Sequence, residues 1–271
     1  MSNKLYNGKT IDEMTLMDDV FAMACFEGSI DLAQKILRII LNKPELVVRS
    51  VEVQKILPNI LNHSVCLDVY AEIEGNAFAD IEIQRKKSDA KPKRAKFITS
   101  MMMVHVLPKG ADYDDLPQVY VIFITQNDYF GGGLPIYIKK GVLINYGNML
   151  VDDGETTIYV NGAYNNTESD LGKLIHDFSC KDPEQMLIPE ISDWINKAKH
   201  SKQVEEKMGS MLREYAEERV EEHAIKSAKA LILYGKIPYK VIAECQFLPL
   251  EKILEIAKEL GKYPEKSTAE V

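Results

Sequence analysis

The chain has 271 residues, 46% hydrophobic and 27% charged, with a formal net charge of −8. That composition is globular and provides for one large core, or a core plus a small appendage, and it excludes a disordered or fibrous chain. The acidic balance excludes general affinity for nucleic acid, because phosphate binding needs clustered Lys and Arg, so any such site must be a local basic patch.

In chain order, residues 12–42 read as helical. Met14, Met17, Val20 and Phe21 recur at three- and four-residue spacing, and Ser29 is placed to cap a second helix bearing Leu32, Ile36, Leu37 and Ile40. Pro44 closes that element, and residues 46–56 read as extended. Residues 64–73 then alternate, with Val65, Leu67, Val69, Ala71 and Ile73 on one face and Cys66, Asp68, Tyr70 and Glu72 on the other. After Glu74-Gly75-Asn76 the alternation resumes, with Ala77, Ala79, Ile81 and Ile83 opposed to Phe78, Asp80, Glu82 and Gln84. Two period-two runs around a short Gly-containing turn predict an antiparallel hairpin.

A basic loop follows, with a helix from about residue 92 to 106. Residues 119–125 form an apolar run bounded by Pro117 and Asn127, predicting a buried strand. Residues 131–135 read as a flexible turn. Residues 136–145 and 156–164 predict further strands, and residues 170–178 and 183–199 return to helical patterning. A hairpin, a helix and a buried strand in succession imply a mixed sheet with helices packed on it. Residues 201–233 predict one charged helix without proline. Its seam of Val204, Met208, Met211 and Tyr215 is broken by Glu218 and Glu222, too soon for a coiled coil. Residues 235–260 predict two short helices joined near Phe247-Leu248-Pro249, as in a helix-turn-helix.

No apolar run approaches the length of a membrane span, and the polar opening MSNKLYNGKTIDE shows no secretory signal. Cys25, Cys66, Cys180 and Cys245 are scattered, which argues against a zinc knuckle or a disulfide framework and suits a reducing cytoplasm. Gly131-Gly132-Gly133 lacks the Gly-Lys-Ser/Thr of a phosphate loop, and His176-Asp177 has no further ligand at metal spacing.

The hairpin is where chemistry concentrates. A three-residue loop at residues 74–76 pairs Ile73 with Ala77 and sets Asp68 opposite Glu82. Facing carboxylates destabilise a hairpin unless a cation sits between them. A loop one residue shorter or longer would put Asp68 opposite Ile83 instead. The alternative is a solvated sheet face decorated with Asp68, Asp80 and Glu82, Glu72 lying on the same face. The basic cluster of Arg85, Lys86, Lys87, Lys93, Arg94 and Lys96 follows at once, as phosphodiester chemistry requires.

Asp68, followed across the hairpin by Glu82-Ile83-Gln84, resembles the D…E-x-Q form of the PD-(D/E)xK nuclease motif. The wider text resembles the recombination-promoting nucleases, or PD-(D/E)xK nuclease family transposases. The matching segments include Leu67-Asp68-Val69, Ile81-Glu82-Ile83-Gln84-Arg85, Lys93-Arg94-Ala95-Lys96-Phe97, residues 116–125, Gly133-Leu134-Pro135-Ile136-Tyr137, Tyr159-Val160-Asn161-Gly162 and residues 174–179. The resemblance covers about residues 12–190, with a looser echo in the helical tail.

It implies an α/β fold with a restriction-endonuclease-like core, a mixed sheet flanked by helices, and an α-helical C-terminal extension. Together with the patterning of the chain this gives residues 1–199 as the expected nuclease-like domain, 200–234 as a charged helical connector and 235–271 as a helix-turn-helix-like tail. It further implies DNA cleavage dependent on Mg²⁺ or Mn²⁺. Asp68 and Glu82 would be catalytic metal ligands, helped by the backbone carbonyl of Ile83, with Gln84 where the general pattern has Lys. Asp18 resembles the acidic position of the first helix, and the basic cluster would hold DNA. Two features depart from the pattern. Gln84 does not titrate and can only orient water, and the helix around Lys96-Phe97-Ile98 is less basic and less tyrosine-rich than usual. A catalytically silent nuclease fold that binds DNA or protein is therefore the competing expectation. The C-terminal helices are the expected surface for self-association, and no membrane partner is expected.

Overall fold

The computed structural model describes residues 8–59, 64–86 and 89–262. The chain divides into two compact units, the first ending at Met208 and the second beginning at Gly209. In order, the first unit contains α1 (Asp19–Phe26), α2 (Ile30–Leu41), β1 (Val48–Leu57), β2 (Val65–Ile73), β3 (Ala77–Gln84), α3 (Pro92–Val106), β4 (Gln118–Thr125), β5 (Ile136–Lys139), β6 (Val142–Leu143), β7 (Met149–Leu150), β8 (Glu155–Asn161), α4 (Asp170–Ser179) and α5 (Pro189–Lys199). Six strands form a sheet in the order β1-β2-β3-β4-β8-β5. Its first three strands are antiparallel, β3, β4 and β8 run parallel, and β5 is antiparallel at the far edge.

The β2–β3 turn occupies residues 74–76, with Gly75 at φ 85° and Asn76 at φ 58°, left-handed conformations that these two residue types tolerate best. Ile73 pairs with Ala77, the register that the loop length predicts. Parallel pairing of β3 with β4 needs a crossover, and α3 supplies it. Pro92, with its φ preset and no N–H to lose, opens that helix, and Leu107, which precedes Pro108, closes it.

Helix α3 lays Ala95, Ile98 and Met102 on Tyr70, Val121, Phe123 and Tyr159. The residues of opposite parity, Val69, Ala71, Ile81, Ile122 and Ile158, are buried as well, while α1 and α2 lie against β1. Central strands buried on both faces explain why β4 reads as a continuous apolar run. The amphipathic α2 buries Leu32, Ala33, Ile36, Leu37 and Ile40 and ends on Asn42 in the left-handed region.

Several expected elements change. The first helix starts at Asp19, later than the spacing suggested, after a single 3-10 turn at Ile11–Glu13. The strand expected over residues 136–145 breaks after Lys139, and the chain folds back into the small β6–β7 ribbon. Gly141 permits the break, because a Cβ there would meet the Asp153 carboxylate at 2.6 Å. The glycine turn at residues 131–133 is tied down instead of loose. The Asp128 carboxylate accepts the N–H groups of Phe130, Gly131 and Gly133 at 2.8–3.1 Å and the Tyr137 hydroxyl at 2.8 Å.

The second unit takes its core from the later turns of α6 (Lys202–Tyr234), with α7 (Tyr239–Gln246) and α8 (Leu250–Glu259). Ala228 and Ile232 join Ile242, Ala243, Ile253, Ile256 and Ala257. The division between units thus falls within α6, not at residue 199 or 234. Two helices as short as α7 and α8 cannot bury a core alone, so the stretch expected as a connector becomes the third wall of the small unit.

Candidate active site

β2 and β3 stay in register toward the open end of the hairpin, with Tyr70 opposite Asp80 and Val69 opposite Ile81. The next residues along are Asp68 and Glu82, and the Asp68 carboxylate accepts the Ile83 N–H at 3.2 Å. In the parallel pair β3–β4, Glu82 sits beside Phe123 and Gln84 beside Thr125. Glu82 therefore lies near the carboxyl end of a parallel strand, where α/β sheets place their ligands, with Asp68 beside it on the neighbouring antiparallel strand.

This face is not the solvated one that alternation alone allows. Helix α3 covers it, and Asp80 and Glu82 are fully buried. Glu82 Oε2 accepts from the Arg94 guanidinium at 2.5 Å and from Gln84 Nε2 at 2.9 Å. Among the described residues no other group donates to Glu82 Oε1 or to either oxygen of Asp80, and these two carboxyls lie close enough to share a proton. Asp80 is flanked by Tyr70 and Val121.

Burial, then the charge of Glu82, pushes the Asp68 carboxyl well above the usual carboxylate range. Asp80 is pushed up in the same way by burial and by the charges of Glu82 and Asp68. Burial also raises Glu82, although Arg94, Gln84 and Asp80 all pull it back. Two fully buried acids and the half-buried Asp68, with one guanidinium among them in the described residues, are short of positive charge.

The basic residues disperse. Arg94 points inward to Glu82, stands 5.9 Å over the Phe123 ring and donates to the Asp89 carbonyl at 2.9 Å, so it is not laid out along the surface for a DNA strand. Arg85 pairs with Asp18 at 2.9 Å, and Lys96 pairs with Glu155. Lys86 and Lys93 are exposed, and Lys87 lies outside the described residues. Asp18 is saturated, since Lys9, Arg85 and the Thr15 N–H all engage its carboxylate. The first-helix acid whose charge bears on Asp68 is its neighbour Asp19. Asp80 shares strand parity with Glu82, which made its face readable from sequence. That no donor among the described residues reaches it from outside the acid cluster was not readable. A cavity of about 630 Å³ opens at the other end of the hairpin, by Gly75 and Tyr120, away from the acids.

Among the described residues no three His, Cys, Asp or Glu side chains converge as a ready metal cage. The donor chemistry nonetheless fits a hard cation. Glu82 keeps a buried oxygen without a donor, Asp68 is adjacent, and the local charge is uncompensated.

A mixed six-stranded sheet flanked by helices, with an acid cluster on its central hairpin, defines an α/β fold of the restriction-endonuclease-like class. The family profile described as PD-(D/E)XK nuclease family transposase matches residues 26–232, and the chain belongs to that family. Comparison with curated proteins and with solved structures returned no match. The match contains the hairpin, α3 and most of α6, whereas Asp18 and Asp19 precede it and α7 and α8 follow it. Membership makes this a nuclease-type fold of a superfamily whose members hydrolyse phosphodiester bonds and generally use divalent metal ions. No helix among the described residues is long and apolar enough to cross a membrane.

Proposed function

We propose that the chain is a divalent-metal-dependent DNA endonuclease of the recombination-promoting, transposase-associated kind, acting in the cytoplasm. The observation that carries this reading is the under-compensated acid pair at the open end of the β2–β3 hairpin, with Glu82 buried and Asp68 half-buried. Asp68 and Glu82, with the Ile83 carbonyl, would hold Mg²⁺ or Mn²⁺. When bound, the ion would lower the pKa of water and neutralise charge on the phosphate.

The chain's own groups do the rest. Gln84 has an amide that orients a water but cannot take its proton. Its Nε2 rests on Glu82, so it positions that carboxylate too. Lys86 and Lys93, exposed beside the site, hold the DNA backbone by charge. Arg94 favours the ionised form of Glu82 against the effect of burial and holds it in place, through an ion pair whose carboxylate is fully buried and whose guanidinium is partly exposed.

One observation favours a second reading, a silent fold that binds DNA or protein: Arg94 already supplies Glu82 with a positive charge. Nicking of a supercoiled plasmid in Mg²⁺, Mn²⁺ or EDTA separates the two. The wild type should nick only with metal, Glu82→Ala should lose at least about a thousandfold in rate, and Gln84→Lys should keep or raise activity. Mn²⁺ should also raise the melting temperature of the wild type and not that of Asp68→Ala. A wild type inert in every metal, or a Glu82→Ala variant as fast as wild type, would overturn the enzyme reading of this hairpin.

A further inference from the structure

The loop after β4 is built more rigidly than a surface connection needs. Asp128 gathers three backbone N–H groups and the Tyr137 hydroxyl, and that hydroxyl oxygen accepts the N–H groups of Gly132 at 2.9 Å and Leu134 at 3.2 Å. Partial burial nudges the Asp128 carboxyl up, but the donors from Gly133, Gly131, Tyr137 and Phe130 hold it below its usual value, so the tie persists at neutral pH.

What this loop presents is Phe130, with 51% of its surface exposed. The ring is held at steep angles against Tyr129, Tyr137 and Tyr159, at centroid separations of 4.9, 5.1 and 5.0 Å. Tyr129 in turn lines a narrow cleft with Gln84, Arg85, Gln126 and Asn127. A preoriented aromatic face thus stands one residue away from the cleft that holds the catalytic-side glutamine.

Capping Tyr159 accounts for the buried part of Phe130 but not for a half-exposed ring on a loop locked by six hydrogen bonds. Any residue with a bulky apolar side chain would cap. A flat π face beside amides and a cation is what an unpaired nucleobase recognises, and a fixed ring lowers the ordering cost of stacking.

Resting on the nuclease reading, we propose that Phe130 is a stacking platform for an unpaired nucleobase next to the scissile phosphate. The preferred substrate is then DNA that is single-stranded or carries a base extruded from the duplex.

Fluorescence anisotropy in EDTA, where no cleavage occurs, tests binding alone. The probes are a labelled single strand, its perfect duplex and the same duplex with one bulged base. The wild type should bind the single strand, the bulged duplex, or both more tightly than the perfect duplex. Phe130→Leu keeps an apolar cap and removes the π face. It should weaken the preferred probe about tenfold and leave the perfect duplex unchanged, while Phe130→Trp should retain the preference. Loss confined to the single strand identifies a base from an unpaired strand, and loss confined to the bulge identifies an extruded base. If Phe130→Leu matches wild type on all three probes, or weakens all three equally, the platform is wrong although the nuclease reading stands. A wild type that binds none of the three would remove both.

Discussion

Two buried acids in this protein sit in opposite circumstances. Asp177 on α4 is fully buried, yet its carboxylate accepts the N–H groups of Leu187 at 2.8 Å and Ile188 at 2.9 Å and contacts His176 Nδ1 at 2.9 Å. It ties the end of α4 to the start of α5. Asp80 on β3 is equally buried, and among the described residues nothing reaches its oxygens but a proton shared with Glu82. A protein that satisfies one buried carboxylate so fully, and leaves another bare beside Asp68 and Glu82, marks the second region as a place for charge that arrives with a ligand. Burial alone does not distinguish a structural acid from a functional one. The count of donors does.

The comparison can be broken most forcibly at Asp177. Asp177→Ala would orphan two backbone N–H groups at a buried junction, and the expected loss is about 3 kcal/mol of folding stability. Chemical denaturation would read it, with the Mn²⁺-induced rise in melting temperature retained at temperatures where the variant is folded. A metal response lost along with stability would show that the two acids are not separate in role.

Asp80→Asn should act in the other direction. The amide can donate to Glu82 and carries no charge to bury, so in EDTA at pH 8 the variant should gain about 1 kcal/mol, a few degrees in melting temperature. The sign follows from the raised carboxyl of Asp80. In the wild type, protonation of the folded form is favoured over that of the unfolded form, so its stability improves as pH falls toward and through the raised value. The advantage of the variant should therefore shrink on acidification. A destabilised Asp80→Asn at pH 8 would mean that the buried acid has a counter-charge after all.

Glu155 gives the smallest effect. Burial pushes this carboxyl up, but hydrogen bonds from Lys139 and Lys96 hold it below its ordinary value. The depressed value means that its contribution exists above the ordinary carboxylate range and is lost as pH falls through the folded value. Both lysines are about half exposed. Lys139→Met should thus cost under about 1 kcal/mol at neutral pH, less in high salt, and nothing in strong acid. Thermal melts across pH and salt would check it. A larger, salt-insensitive loss would place Glu155 among the buried, fully coupled acids.

Much of this was legible in the residues themselves. Strict alternation on both sides of Glu74-Gly75-Asn76 fixed the hairpin, because side chains in a strand alternate with a period of two and the loop length sets the register. The apolar run of β4 announced a buried central strand, and Pro92 announced the start of α3. Less legible were segments where a local pairing replaced the longer pattern, as at Gly141, where the chain leaves β5 for the β6–β7 ribbon. Asp128 and Tyr137, nine residues apart, gave no sign in sequence that they lock the glycine loop between them.

The sequence by itself determined which residues share a strand face, so it placed Asp68, Asp80 and Glu82 together with Gln84 two positions beyond Glu82. Only the tertiary structure decided their environment. Helix α3 folds over that face because Ala95, Ile98 and Met102 are apolar toward Val121 and Phe123. In doing so it carries Arg94 inward to Glu82, sends Lys96 to Glu155 and shuts water away from Asp80. Alternation is a property of neighbouring residues in one strand, whereas desolvation and counter-charge depend on which distant segment packs against it. That is why a run of six basic residues that reads as one DNA-binding patch becomes, in the folded chain, three intramolecular ion pairs and, among the described residues, two exposed lysines.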